Sequence, residues 1–382
     1  MKHVLIAVAV TLCGLGPVEL ERAEPRVTLL RLPAGGIQPQ VAIDSRGLAH
    51  VVYFAGDPAN GDVFYARVAG DSFSAPIRIN SSPGSAIATG TVRGARIAIG
   101  RNGRVHVAWN GSSQATPSGG STPMLYTRSN DAGTAFEPQR NLLQFTGVID
   151  GGGAIGADAR GRVFVAWHGN GPGARDEGAR RVWLATSADD GRTFARERAV
   201  SAAETGACGC CGMDGLVDSR GQLLFLYRSA REVMNRDSYL LASTDTGRTF
   251  RSILLQPWNV GVCPMSLYDL AEGAGRTLAA WETNKQIQYT DVTAAMAGRH
   301  VIVTPPGAPG SRRHPSLAIN SHSDVLMSWS EGTGWQKGGL IAWQVFNRSD
   351  QPTATAGRQP DLAVWSMPAA FARPDGSFTV LY

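Results

Sequence analysis

Apolar and polar positions along the chain fall into short repeated units. Each unit has an apolar run, a turn ending in Gly or a polar substitute, and a second apolar run closing on an aromatic residue. The pattern appears as Val41-Ala42-Ile43-Asp44-Ser45-Arg46-Gly47 with Val51-Val52-Tyr53, and as Ile97-Ala98-Ile99-Gly100-Arg101-Asn102-Gly103 with Val107-Ala108-Trp109. It returns as Gly156-Ala157-Asp158-Ala159-Arg160-Gly161 with Val165-Ala166-Trp167, and further copies close on Leu226-Tyr227, Ala280-Trp281, Ser328-Trp329 and Leu381-Tyr382. Alternating apolar positions on either side of a turn predict a β-hairpin in every copy. The copies recur about every 50–60 residues, the period of a repeat architecture.

A second motif accompanies the first. Ser243-Thr244-Asp245-Thr246-Gly247-Arg248-Thr249-Phe250 is repeated by Ser187-Ala188-Asp189-Asp190-Gly191-Arg192-Thr193-Phe194, and Ser129-Asn130-Asp131-Ala132-Gly133-Thr134-Ala135-Phe136 is a looser copy. Each follows a strand-like run (Met124-Leu125-Tyr126, Val182-Trp183-Leu184, Tyr239-Leu240-Leu241) and predicts a tight turn between antiparallel strands. Asp folds its carboxylate onto backbone N–H groups, Gly supplies the positive φ, and Phe packs back under the sheet. The motif resembles the Asp box, or BNR repeat, of sialidase-like β-propellers. That resemblance implies that Asp131, Asp189 and Asp245 are structural and lie on the face opposite any active site.

Together the two motifs predict an all-β propeller of four-stranded antiparallel blades in a single domain, 24–382. Seven hairpins favour seven blades. Six, the number in true sialidases, is the alternative, with the terminal hairpin as an appendage. The last unit ends after two strands at Tyr382, and Arg26-Val27-Thr28-Leu29-Leu30-Arg31-Leu32 is an orphan strand. Pairing that strand into the last blade closes the ring and removes an exposed edge.

Composition narrows the function. The 382 residues include 46 Gly and 21 Pro, which suits a turn-rich all-β fold. Net charge is +5, but only Lys2, Lys285 and Lys337 are lysines, and the arginines are scattered without a basic run or aromatic stripe. Nucleic-acid binding is therefore not expected. Codon bias accounts for such an Arg excess, or else some of these residues face an anionic ligand. Met1-Lys2-His3 followed by the apolar Val4–Leu12 reads as an export signal spanning 1–23, with a poor cleavage site. The product would be periplasmic or secreted, or lipid-anchored through Cys13. No later stretch is long enough to span a membrane, and a monomer is expected.

Without Cys13 the chain keeps Cys208, Cys210, Cys211 and Cys263. Cys211 and Cys263 fall at equivalent points of successive repeats, so the four should cluster where first strands of neighbouring blades begin. An even number in an exported chain predicts disulfides, here two that staple adjacent blades. Two further readings are a copper or zinc site, with Met213, Met265 or His314 nearby, and a redox pair. No cofactor is otherwise required. Cys-x-Cys-Cys followed one repeat later by Cys-Pro-Met also resembles a subgroup of exported sialidase-like proteins.

The sialidase resemblance implies an Arg triad, an Asp acid/base and a Tyr–Glu nucleophile pair. The family's Arg-Ile-Pro lead into the first strand is missing: the first unit reads Gln38-Pro39-Gln40, and the nearest match, Arg313-His314-Pro315, sits in the sixth. Asp57, Glu282 and Tyr289 are the catalytic candidates. Arg93, Arg96, Arg228, Arg236, Arg313 and His314 are candidates for holding a ligand. His168, Asp176 and Glu177 read as one glycine-rich polar loop. His50 and His106, repeated at one strand position, read as packing residues. The sequence thus predicts an exported propeller that binds a glycan, another anionic ligand or a protein partner at the channel mouth. The alternatives are an exo-sialidase-type glycoside hydrolase and a soft-metal or redox protein.

Overall fold

The structure, a computed structural model, describes residue 1 and residues 24–116, 122–147, 149–232 and 234–382. The export signal, its cleavage site and Cys13 lie outside the described residues. Seven sheets follow one another along the chain, six antiparallel and the last mixed. Their first strands are Ile37–Ile43, Arg96–Ile99, Ala154–Ala157, Asp214–Val217, Asp269–Gly273, Arg312–Ile319 and Ala369–Ala372. These stand side by side in a closed ring around a central channel, the seventh adjoining the first. Seven blades are present, and the terminal hairpin is a blade of the ring rather than an appendage.

The ring closes as the sequence predicts. Val27–Leu30 pairs in parallel with Phe378–Leu381, so the two ends of the chain build blade seven together. Backbone bonds from Leu32 N to Tyr382 O and from Phe378 N to Arg26 O extend the seam. Blade five has three regular strands, and the short helix Val292–Met296, capped by Asp291, follows its third.

Each sheet is covered on both faces by its neighbours, so the apolar side chains form seven inter-blade cores, not one central core. This is why the second strands, such as Val105–Asn110 and Leu223–Arg228, are buried along their whole length. Trp109, Trp167, Tyr227 and Trp281, which close the hairpins, are among the largest fully buried side chains.

The repeated turns join third and fourth strands. In two of them the bonding is identical. Thr193 donates from its N–H (2.8 Å) and hydroxyl (2.6 Å) to Asp189, and Ser187 receives the Gly191 N–H. Thr249, Asp245, Ser243 and Gly247 repeat this, with Gly191 and Gly247 at φ 76° and 79°. The looser copy differs. Ala135 stands where the other turns have Thr, so Asp131 has no hydroxyl to receive; Asn130 caps Thr134 N instead, and Asp131 turns outward to pair with Arg104. The closing Phe136, Phe194 and Phe250 pack into the core shared with the preceding blade.

Part of the Arg excess has a structural use. Arg140, Arg198 and Arg251, the first residues of successive fourth strands, each reach across to carbonyls of the next blade: the Gly191–Arg192 turn, the Gly247–Arg248 turn and Met296. His50 and His106 likewise share one role, each 2.7 Å from the hydroxyl of a third-strand tyrosine, Tyr65 or Tyr126.

Candidate functional site

Antiparallel connectivity sorts the loops. Segments leading into first strands and loops between second and third strands fall on one face, the mouth. The repeated turns fall on the other, the base. All four cysteines of the described chain precede a first strand and sit at the mouth.

The mouth holds a thiol cluster. Cys210 of blade four is bonded to Cys263 of blade five, with Cα atoms 6.4 Å apart, while Cys208 and Cys211 are free and buried. One bridge replaces the two expected from the sequence. The segment is a turn, closed by Cys211 N donating to the Cys208 carbonyl, and within it Cys210 faces the half-exposed surface while Cys211 faces inward to Ser266, 3.5 Å away. The Cys208 sulfur lies 3.4 Å from the sulfurs of both Cys210 and Cys211.

The surrounding groups hold this loop rigidly. Gly209 N donates to Glu177 (2.9 Å), His168 Nε2 to the Cys211 carbonyl (2.6 Å), and Gly212 N to the Ser266 carbonyl (3.0 Å). His168 and Glu177, expected in one loose polar loop, thus clamp the cysteine segment, while Asp176 caps Ala179 N. Arg228 is wholly buried between Trp258 and Tyr268 and donates to Ser266 Oγ and to the carbonyls of Arg236 and Glu282. Burial opposes ionisation of Cys211, but the Cys208 hydrogen bond, the Arg228 charge and Ser266 outweigh it and bring the thiol down to about 6. Cys208, the donor of that bond, is held well above the ordinary thiol range by it and by burial.

Among the described residues, Cys208, Cys210 and Cys211 form the cluster whose ligand atoms approach within 4.8 Å. With Cys210 in the bridge two thiols remain, a donor pair suited to two-coordinate Cu(I) and short of the four ligands of structural zinc. Met213 points into the core between blades three and four, and His314 Nε2 donates to the Met265 carbonyl (3.2 Å).

Beside the cluster Glu282 is buried, and burial pushes its carboxyl up to about 7, the Arg313 guanidinium 3.8 Å away offsetting only part of the shift. A raised carboxyl costs stability only above its unfolded value of 4.5. Relative to the wild type, Glu282→Gln should therefore gain stability as pH rises from about 4.5 to 7 and level off near 3 kcal/mol above that. Chemical denaturation of both proteins at pH 5 and pH 8 measures the difference; a difference independent of pH refutes the assignment.

The centre of the mouth is plugged. Val92, Leu267 and Met367, from the segments leading into blades two, five and seven, pack together across the axis. Below them lies a channel of about 410 Å³ lined by the first strands of all seven blades. At its upper end Arg96 donates to Gln40 (2.8 Å) and pairs with Asp214 (3.5 Å). Burial raises both Asp214 and Asp269, and since Arg96 stands beside Asp214, Asp269 carries the proton.

A shallow cleft of about 20 Å³ lies beside the plug, lined by Thr91, Met265, Arg313, His314, Trp335, Lys337 and Trp365, so that a ligand larger than water rests on its rim. Thr91, Met265, His314 and Trp365 all have positive φ, at 71°, 48°, 50° and 59°, and Gln38 next to Trp365 does too at 55°. Side chains rarely tolerate this backbone region; each instance costs roughly 1–3 kcal/mol. Gln38 and His314 precede Pro39 and Pro315, and both strands slip register there. Trp335 is 58% exposed and meets Trp365 edge-on at 5.9 Å. Gly334 and Lys337 exchange two backbone bonds of 3.1 Å, which makes the tip of that loop rigid.

The other candidates disperse. Arg93 is tied to Asp150 and the Thr89 carbonyl, and Arg236 to Glu177. Asp57 is an exposed turn residue whose carboxylate receives the Ala59 N–H. Tyr289 donates to Asp350, which also pairs with Arg276. That contact belongs to the base of blades five and six, whereas Glu282 is at the mouth, so nearness in sequence does not make the two a pair. Trp335 and Trp365 were missed. The signal available was that neither fits the hairpin-closing position that accounts for Trp109, Trp167, Trp281 and Trp329.

The sequence matches no protein-family model and no curated protein. Solved structures do resemble it in fold. A Dyadobacter fermentans protein of unknown function is 13% identical with a TM-score of 0.53, over 85% of this chain and 98% of that one. A leech intramolecular trans-sialidase complexed with 2,7-anhydro-Neu5Ac is 11% identical, TM-score 0.50, over 86% and 79%. Trypanosoma rangeli sialidase with 2,3-difluorosialic acid is 10% identical, TM-score 0.51, over 90% of this chain and 56% of that one, so this chain spans little more than half of the trypanosomal enzyme. The fold is that of a sialidase-like propeller.

Proposed function

We propose that the protein is an exported sialidase-like propeller that binds an anionic saccharide at the rim of the mouth cleft. The observation that carries this reading is the convergence of four strained, non-glycine residues on one cleft whose other walls are Trp335, Arg313 and Lys337. Strain of this kind persists where surrounding structure holds a surface in a required shape. An exposed indole offers a flat apolar face to a sugar ring, and a guanidinium beside it matches a carboxylate. The disulfide accords with an oxidising compartment, and among the described residues no helix is long and apolar enough to cross a membrane. A binding role is favoured over hydrolysis because Asp57, Glu282 and Tyr289 are each committed to a separate local partner.

Calorimetric titration with 3′-sialyllactose and with lactose tests the proposal. Binding of the acidic sugar at least ten-fold tighter is expected, and Arg313→Ala or Trp335→Ala should each weaken it ten-fold or more, about 1.4 kcal/mol. Equal affinity for both sugars, or indifference to both substitutions, overturns the cleft assignment. Release of free sialic acid during the titration would replace binding by the hydrolase reading.

A further inference from the structure

We propose that the four mouth cysteines form an internal dithiol–disulfide relay, in which the buried Cys208/Cys211 pair exchanges with the Cys210–Cys263 bridge that ends at the surface. Three observations carry this. Cys208 is placed between the two partners, 3.4 Å from Cys210 Sγ and 3.4 Å from Cys211 Sγ. A gradient of exposure runs through the cluster: Cys208 and Cys211 are buried, Cys210 is half-buried and Cys263 is exposed. Two cations face the buried sulfurs. Arg228 is linked to Cys211 through Ser266, and Arg236, whose Nε and Nη1 are buried without a partner, acts on Cys208 and Cys211 by charge.

The exchange balances without an added oxidant. In the first step the Cys208 thiol gives its proton to Cys211 and its thiolate attacks Cys210 Sγ. The Cys208–Cys210 bond forms, the Cys210–Cys263 bond breaks, and Cys263 leaves with the electron pair and takes a proton from solvent. In the second, Cys211 loses its proton to solvent and attacks Cys208 Sγ. The Cys208–Cys211 bond forms, and Cys210 leaves as a thiolate and is protonated. One disulfide and two thiols are present before and after. The isomer differs in placing the dithiol at the surface, where Cys210 and Cys263 can reduce a disulfide of another protein and return to their bridge.

The proposal is independent of the saccharide reading and is tested with 5,5′-dithiobis(2-nitrobenzoate) as the model disulfide, on the native protein without reductant. The wild type should release two equivalents of thionitrobenzoate. Peptide mapping should then find both Cys208–Cys211 and Cys210–Cys263 bonded. Cys211→Ser removes the proton acceptor of the first step and the nucleophile of the second, so the reaction should slow and the aryl adduct that forms should sit on Cys263. Cys208→Ser removes the first nucleophile and should leave Cys263 unmodified, with release slowed at least 100-fold. An adduct on Cys208 or Cys211 of the wild type, with Cys263 never modified, would show direct access to the buried thiols and overturn the relay. So would one copper or zinc per purified chain with both thiols protected, in favour of a metal site.

Discussion

Arg228→Met is expected to destabilise the protein by roughly 3–5 kcal/mol, the usual cost of breaking a buried charged network from one side. The guanidinium is 1% exposed and serves three acceptors in two blades: Ser266 Oγ at 3.0 Å, the Arg236 carbonyl at 2.6 Å and the Glu282 carbonyl at 2.5 Å. Methionine fills much of the volume between Trp258 and Tyr268 but leaves those acceptors without a donor. Arg228→Lys should recover little, because one ammonium on a flexible stem cannot span acceptors set out for a planar fork. A second readout separates the electrostatic role from the structural one. The Cys211 thiol, held at about 6 partly by the Arg228 charge, should rise towards the ordinary range in Arg228→Met, seen as a loss of thiolate ultraviolet absorbance at pH 7. A stability loss below about 1 kcal/mol with a shifted thiol would mean that the guanidinium serves the sulfur and not the fold.

Cys263→Ser should be of similar size. The bridge joins residues 53 apart, and in the chain-entropy model opening a loop of that length forfeits about 4 kcal/mol by freeing the unfolded chain. The loss should appear as a lower denaturation midpoint, and reductant should bring the wild type to the same value. The leading segments of blades four and five are also joined by Gly212 N to Ser266 O at 3.0 Å. A midpoint unchanged by the substitution would show that this backbone contact and Arg228 already hold the two blades together.

These two effects rest on contacts that the linear pattern conveys unequally. The hairpin repeat is local: a period-two alternation, a turn and a closing aromatic suffice to set strand, turn and burial, so Trp109, Trp167, Tyr227 and Trp281 could be placed in the cores in advance. The Asp189 and Asp245 turns are equally local, since every bond that makes them spans at most four residues. Asp131 departs from the motif for a reason that is also local, the missing hydroxyl at Ala135. The repeat period further implied that Cys211 and Cys263 begin neighbouring first strands, and the structure keeps both at the mouth. It could not say which of Cys210 and Cys211 faces the partner, because that depends on the twist of one residue in a segment fixed by His168 and Glu177 of blade three and Ser266 of blade five.

By itself, then, the sequence determined the blade type, the ring closure through Val27–Leu30 and the face on which the cysteines lie, because each follows from short-range alternation and a repeat length. Only the tertiary structure decided the rest. Arg228, Glu282, Arg313 and Cys211 become one network because the successive blades four, five and six stand side by side, and Thr91, Met265, His314, Trp335 and Trp365 become one cleft because ring closure brings together loops from blades that are far apart along the chain. Tyr289 and Glu282 sit two residues apart on paired strands, yet their polar ends are committed to different neighbours, Asp350 for the hydroxyl and Arg313 for the carboxylate. Side-chain chemistry at the mouth is set by long-range contacts, and no local pattern encodes them.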